Sequence, residues 1–433
     1  MRRVVSAFSV LALSALLVLA GCAGKGGTTA PQGGTAGPTA EAPQAGELQP
    51  EPGAQLLFWE SGGAVGEWAK YVAEEFSKRY GVPVTYEEVS HVDTPGKLKT
   101  DGPAGLGADV FAAPHDHLGE LVAGGLIEEN AAPPDYAKDF LPATIQGTTY
   151  EGKLWGYPTA IETYALIYNK DLVKEVPKTW DELLAQAKAH TDVQKNTYGF
   201  MMEPANFYFA YAFFGGYGGY VFGDHNTNPA DIGLNNEGSV KAGEFLQRIH
   251  REVLPLKVED VTYDAKEGLF KSGKLMYNVN GPWAVDDYRK ANVNFGVAPL
   301  PLLDNGNHPT SFSGIRALYV NAYTKYPKAA ALFAQFATSE EMLLKLYEMT
   351  GMLPARASLL QNPEIQGNEA VRGFLEQAQY AVPMPNIPQM SAVWTPMSSA
   401  LTTIWNDNAN VKQALDAAVK QIRDAVQAQS SGR

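Results

Sequence analysis

Short apolar runs alternate with segments of helical period along most of the chain. Leu56, Leu57, Phe58 and Trp59 form a compact apolar run that predicts a strand. Trp68, Tyr71, Val72, Glu75 and Phe76 then recur at helical spacing, which predicts a helix over 68–79. Strands are predicted next at 82–89 and at 109–111. This βαβ alternation favours a sheet with helices on both faces, an α/β fold. Thr179-Trp180-Asp181-Glu182 is a capping box, in which Thr and Glu satisfy the free N–H groups of a first turn. It opens a helix running to about His190. An amphipathic helix is predicted over 239–253, a strand over 275–280 that Gly281-Pro282 breaks, and short strands at 295–298 and 318–320. The last third reads as helical, over 327–337, 338–349 (a second capping box, Thr338 with Glu341), 369–379 and 411–427. The Gly-rich 215–220 stretch predicts a loop, and no repeat of fixed period is present.

The N-terminus follows a different pattern. Arg2 and Arg3 precede an apolar run over 4–19, the layout of an export signal. Ser6, Ser9 and Ser14 dilute that run, which falls short of the roughly 20 apolar residues a spanning helix needs. The single cysteine, Cys22, follows Leu19-Ala20-Gly21, a tetrad that resembles the lipobox of bacterial lipoproteins. That resemblance implies a signal peptide over 1–21 and a lipid on Cys22. Residues 23–53 are rich in Gly, Pro, Thr, Ala and Gln, so they bury too little to offset chain entropy and read as a flexible tether over 22–53.

Composition narrows the function. The 433 residues carry a net charge of -13, which argues against nucleic acid as a partner. Charged residues make up 19%, a sparseness that an acidic exterior would favour because fewer carboxylates are lost to protonation. There is no phosphate loop and no Gly-x-Ser-x-Gly elbow, and nothing calls for a cofactor. His115-Asp116-His117 would put both imidazoles on one face of a strand, but no further ligand cluster accompanies them; a polar loop is the plainer reading, and no metal site is assigned. Asp116, Glu162 and Glu203 each follow an apolar stretch that could deliver them to a cleft. A glycoside hydrolase needs two such carboxylates at a set separation, which spacing along the chain does not give. Trp283 and Trp394 sit beside loop-forming residues, and Phe207 and Tyr208 open a dense aromatic cluster after Glu203-Pro204. Any one of these rings is more simply core. Aromatic faces beside carboxylates are also what a sugar needs, since it offers an apolar C–H face and a rim of hydroxyls.

Several runs closely resemble maltose-binding proteins: Asn280-Gly281-Pro282-Trp283; the 385–392 stretch Pro-Asn-Ile-Pro-Gln-Met-Ser-Ala, with Trp394; and Leu166-Ile167-Tyr168-Asn169-Lys170-Asp171-Leu172 with Thr179-Trp180. The likeness extends from about Leu56 to the C-terminus. It implies a two-lobed periplasmic-binding-protein-like fold with hinge strands and a central ligand cleft. The N-terminal lobe would comprise 54–161 plus 316–365, and the C-terminal lobe 162–315 plus 366–433. It further implies a monomer that captures maltose and maltodextrins outside the cell membrane, is held there by its lipid, and delivers sugar to the permease subunits of an ABC importer without cleaving it. Asp116, Glu162 and Glu203 match the family's hydroxyl-binding acids, Trp283 and Trp394 its stacking platforms, and Tyr263 a contacting tyrosine. Phe207 and Tyr208 fall near a further aromatic contact. An Asp-Lys pair of enteric members is replaced by Gly63-Ala64, which shifts the expected contacts to Glu60 or Ser61. His117 stands where an arginine is usual, and Ser398 where another is. Those departures leave the preferred glucan length open, and a longer or cyclic dextrin becomes an alternative.

Overall fold

A computed structural model describes residues 48–431. The predicted signal segment, Cys22 and most of the predicted tether lie outside the described residues. Among the described residues, no helix is long and apolar enough to cross a membrane.

Two sheets organise the chain. Their strands, in chain order, are β1 (Leu56–Glu60), β2 (Val84–Glu88), β3 (Val110–Pro114), β4 (Tyr157–Glu162), β5 (Ala165–Asn169), β6 (Tyr198–Met201), β7 (Leu275–Asn280), β8 (Phe295–Ala298), β9 (Phe312–Val320), β10 (Leu353–Pro354) and β11 (Val382–Pro383). The first sheet runs β10-β4-β9-β3-β1-β2, with β11 also paired to β9. β1 lies parallel to β2 and β3, as the βαβ reading expects, whereas β9 is antiparallel to β3 and β4. The second sheet runs β8-β5-β7-β6.

Successive side chains of a strand face opposite ways, and the first sheet shows it. Phe58, Val110, Ala112 and Leu318 face the main core, while Trp59, Phe111, Ala113, Ala317 and Tyr319 face a second core with Leu98, Leu118 and Leu121. With both faces covered, these strands read as unbroken apolar runs instead of alternating ones.

The helices refine the sequence reading. The helix predicted over 68–79 spans Gly63–Tyr80 and buries Trp68, Val72 and Phe76. At the first capping box, Thr179 Oγ1 accepts from Glu182 N at 3.2 Å and Glu182 Oε2 accepts from Lys178 N at 2.7 Å. The second box is misplaced by one residue. Thr338 closes the preceding helix, donating to Ala334 O at 2.8 Å, and Ser339 caps Glu340–Thr350. The aromatic cluster forms a helix, Phe207–Gly216, whose last two residues are Gly215 and Gly216, and the predicted loop is confined to 217–220. A helix at Trp394–Asn406 lacks any sequence expectation.

The chain passes between the sheets from β4 to β5 and from β8 to β9; beyond β10 it crosses to the helix Glu369–Ala378, which packs on β8, and it returns to the first sheet at β11. These crossings are tied together by buried polar groups. Thr163 Oγ1 meets Ser311 Oγ at 2.9 Å and donates to Phe312 O at 2.9 Å, and Gln377 Nε2 donates to Ser311 Oγ at 3.1 Å. β9 begins at Phe312, four residues before the expected return at 316. The expected tether also ends early. Both carboxylate oxygens of Glu51 accept backbone N–H bonds from Lys328 and Ala329, at 2.8 and 3.0 Å, at the start of the helix Pro327–Ala337.

Candidate functional site

β1, β3, β4 and β9 bring their cleft-side ends together. β3 delivers its chain into a 3-10 turn, His115–His117. Asp116 is 4% exposed there, and its Oδ2 accepts from the indole Nε1 of Trp394 at 3.1 Å. Its Oδ1 is buried with no hydrogen-bond partner. The two flanking imidazoles diverge because the segment is a turn. His115 is buried, accepts from Ile315 N at 3.0 Å, and places Nε2 3.1 Å from Met384 O; burial pushes its pKa down. His117 lies 3.8 Å from Asp116 and 3.4 Å from Glu120. Burial opposes its charge, but those two carboxylates outweigh burial and raise its pKa.

A second group forms around Arg316, which interrupts the apolar β9 and is 3% exposed. Its Nη2 donates to Glu60 Oε1 and, at 2.9 Å, to Ser61 Oγ; its Nε reaches Glu60 Oε2 at 3.3 Å and its Nη1 reaches Glu162 Oε1 at 3.2 Å. Glu60 is fully buried with both oxygens engaged, which makes it a counter-ion with no free face for a ligand. Glu162, at the end of β4, keeps Oε2 facing His91 Nε2 at 3.7 Å. Burial alone would raise its pKa, yet His91 and Arg316 hold it down at about 2. The group is thus depressed on folding, so its contribution to stability is present above the ordinary value of 4.5 and is lost as pH falls toward 2. Urea unfolding at pH 7, 4 and 3 is expected to show stability dropping across that window, with Glu162→Gln showing a smaller drop.

The third group rises from the second sheet. Glu203 follows β6, and its Oε2 is buried without a hydrogen-bond partner, 3.7 Å from Lys266 Nζ. Burial pushes its pKa up, against the pull of Lys266. Lys266 is fully buried, donates to Asn278 Oδ1 at 2.9 Å and lies 5.2 Å from the ring centre of Tyr263, which is 38% exposed. Tyr208 stands 6.5 Å, ring to ring, from Trp283, and its hydroxyl is buried without a partner. Burial pushes that hydroxyl's pKa well up, reinforced by Glu162, Tyr164 and Asp116, which places the phenol among the carboxylates. Trp283 folds back on its own turn: a Cβ on Gly281 would lie 2.1 Å from the indole, so only glycine fits. Phe207 is 2% exposed and packs edge-on to Trp394 at 6.0 Å, as support beneath the indole.

The structure therefore gathers Asp116, His117, Glu162, Tyr208, Trp283 and Trp394 with Ser61. It places Glu203, Phe207, Trp394 and Ser398 around one hollow of about 450 Å³. It sets Glu60 behind the surface, and Phe207 forms the nearly closed floor of that hollow under Trp394. A larger hollow of about 640 Å³ beside Phe140, Gln146 and Asn386 contains none of these groups, so volume alone does not mark the site. Arg316, His91 and Lys266 were not foreseen. A lone arginine inside the apolar run 312–320 was a readable signal of a buried ion pair; His91 and Lys266 offered none. Chemically, three buried polar atoms lack partners here (Asp116 Oδ1, Glu203 Oε2 and the Tyr208 hydroxyl), beside two half-buried indoles. Buried polar groups are normally satisfied, and such atoms next to aromatic faces suit a polyhydroxylated ligand.

A family model described as bacterial extracellular solute-binding protein matches residues 71–373. The chain is 37% identical over 388 residues to a galactooligosaccharide-binding protein of Bacillus subtilis, covering 88% of this chain and 91% of that one. It is 32% identical over 366 residues to a maltodextrin-binding protein of the same organism, covering 83% and 87%. A crystal structure of a cyclo/maltodextrin-binding protein complexed with maltotetraose superposes with a TM-score of 0.72 at 40% identity, covering 86% of this chain and 97% of that one.

Proposed function

Because this chain belongs to the bacterial extracellular solute-binding proteins, we propose that it captures maltodextrins at the outer face of the cell membrane and hands them to an ABC permease. The observation that carries this reading is the set of buried atoms on Asp116, Glu203 and Tyr208 that lack a hydrogen-bond partner, beside Trp283 and Trp394. Sugar hydroxyls would satisfy the polar atoms, and the indoles would take the apolar sugar faces. The lipid on Cys22, the monomeric state and the permease partners belong to the same proposal.

Capture works by closure. The lobes we assign, 54–161 with 316–365 and 162–315 with 366–433, meet at the Thr163, Ser311 and Gln377 crossings. Groups from both lobes, Asp116 from the first and Glu203, Trp283 and Trp394 from the second, touch the same ligand only when the cleft shuts, so sugar shifts the population to the closed form. Small-angle scattering is expected to show a smaller radius of gyration at saturating maltotriose than in its absence; an unchanged radius would remove the closure step.

Two other readings have a specific observation behind them. The galactooligosaccharide-binding relative makes a galactooligosaccharide the alternative ligand, and calorimetry with maltotriose, a cyclodextrin and a galactotriose decides between them. Glu203 pushed up and Glu162 held down also matches the acid and ionised partner of a glycosidase. Incubation with maltoheptaose is expected to return it intact.

A further inference from the structure

His91 lies after β2, in a segment with no predicted role, yet it joins the Arg316 group. The side chains form a gradient of exposure: Glu60 0%, Arg316 4%, Glu162 10% and His91 19%. A buried ionic base thus supports a tip that reaches the crevice. Ser61 Oγ connects the two. It accepts from Arg316 Nη2 at 2.9 Å and from the backbone N–H of His91 at 3.0 Å. Both partners are donors only, and a hydroxyl oxygen has two lone pairs. The remaining Ser61 contact, 3.2 Å to His91 Nδ1, must therefore carry the serine's own hydrogen. His91 Nδ1 is then an acceptor, and in the neutral ring the proton sits on Nε2. That Nε2–H faces Glu162 Oε2 across 3.7 Å, too long for a hydrogen bond. Glu162 is fixed from behind by Arg316 through its other oxygen.

We propose that His91 is a ligand-contacting residue of this site, and that Arg316 and Ser61 are positioning residues that set its tautomer. The His91 Nε2–H and Glu162 Oε2 together read one sugar hydroxyl, which accepts from the imidazole and donates to the carboxylate. Only a group that both accepts and donates satisfies the pair. An ether or a methylated hydroxyl fails one side, and a buried polar group left unpaired discriminates strongly. The inference rests on the sugar-binding reading above.

The test combines nitrogen-15 NMR of the imidazole with titration. In the sugar-free protein, His91 is expected to show the pattern of the Nε2–H tautomer, and Ser61→Ala is expected to weaken that preference. Addition of maltotriose is expected to shift the Nε2 resonance. His91→Leu is expected to weaken maltotriose binding at least tenfold while the protein still unfolds cooperatively, and His91→Gln, which keeps a donor, to recover part of the loss. If His91 is found as the Nδ1–H tautomer, or if His91→Leu binds as the parent does, the assignment is overturned. If the parent protein binds no maltooligosaccharide while the tautomer is as assigned, the sugar reading falls and the relay stands.

Discussion

Replacing Trp394 by alanine is expected to weaken maltotriose binding by more than tenfold. The indole is half-buried, its Nε1–H engages Asp116, and its ring rests on Phe207 at 6.0 Å and Phe312 at 6.2 Å. It is thus held in place before any ligand arrives, and binding need not spend entropy on ordering it. Truncating a packed aromatic at such a spot removes about 2 kcal/mol or more, which is roughly a thirtyfold loss. A second part of the effect falls on Asp116, which loses the indole donor and becomes more hydrated. Calorimetric titration of the variant reads the change. Affinity equal to that of the parent would mean the ring is packing alone.

Glu60→Ala is expected to be the most damaging single change to stability. Arg316 is buried between two carboxylates, and Glu60 takes the bidentate edge of its guanidinium. Removing one partner of a buried pair leaves an uncompensated charge, at a cost of about 3–5 kcal/mol. Glu60→Gln keeps hydrogen-bond acceptance and is expected to lose less. Calorimetric unfolding should therefore rank the parent, then Glu60→Gln, then Glu60→Ala. Equal midpoints for the parent and the alanine variant would show that Glu162 alone neutralises Arg316.

The sequence-legible part of this protein is its local chemistry. β1, the helix Gly63–Tyr80 and the capping box at Thr179 were readable because each rests on residues within one or two turns of each other. The displaced cap at Ser339 fails for a related reason. Thr338 has the right residue type but is claimed by the carbonyl of Ala334. Candidate site residues such as Asp116, Trp283 and Trp394 carried a family likeness. Glu60 did not behave as its position suggested, because its counter-ion lies 256 residues away, and no spacing rule reports such a partner. Phe207 and Tyr208 are neighbours in sequence, yet one supports an indole from below and the other offers its hydroxyl to the carboxylates. Only the helix that carries them separates the two faces.

The clamp of Glu51 on the first amides of the helix Pro327–Ala337 has a mechanical consequence. β9 spans nine residues, about 30 Å of extended chain, from the crossings at Phe312 to Val320. The clamp follows the Val320 end along the chain, whereas Glu162 pairs beside Gly314 and Trp394 packs on Phe312 toward the other. Strain on the chain at Glu51 is therefore borne by one carboxylate and two peptide groups, and not by the side chains gathered at the site.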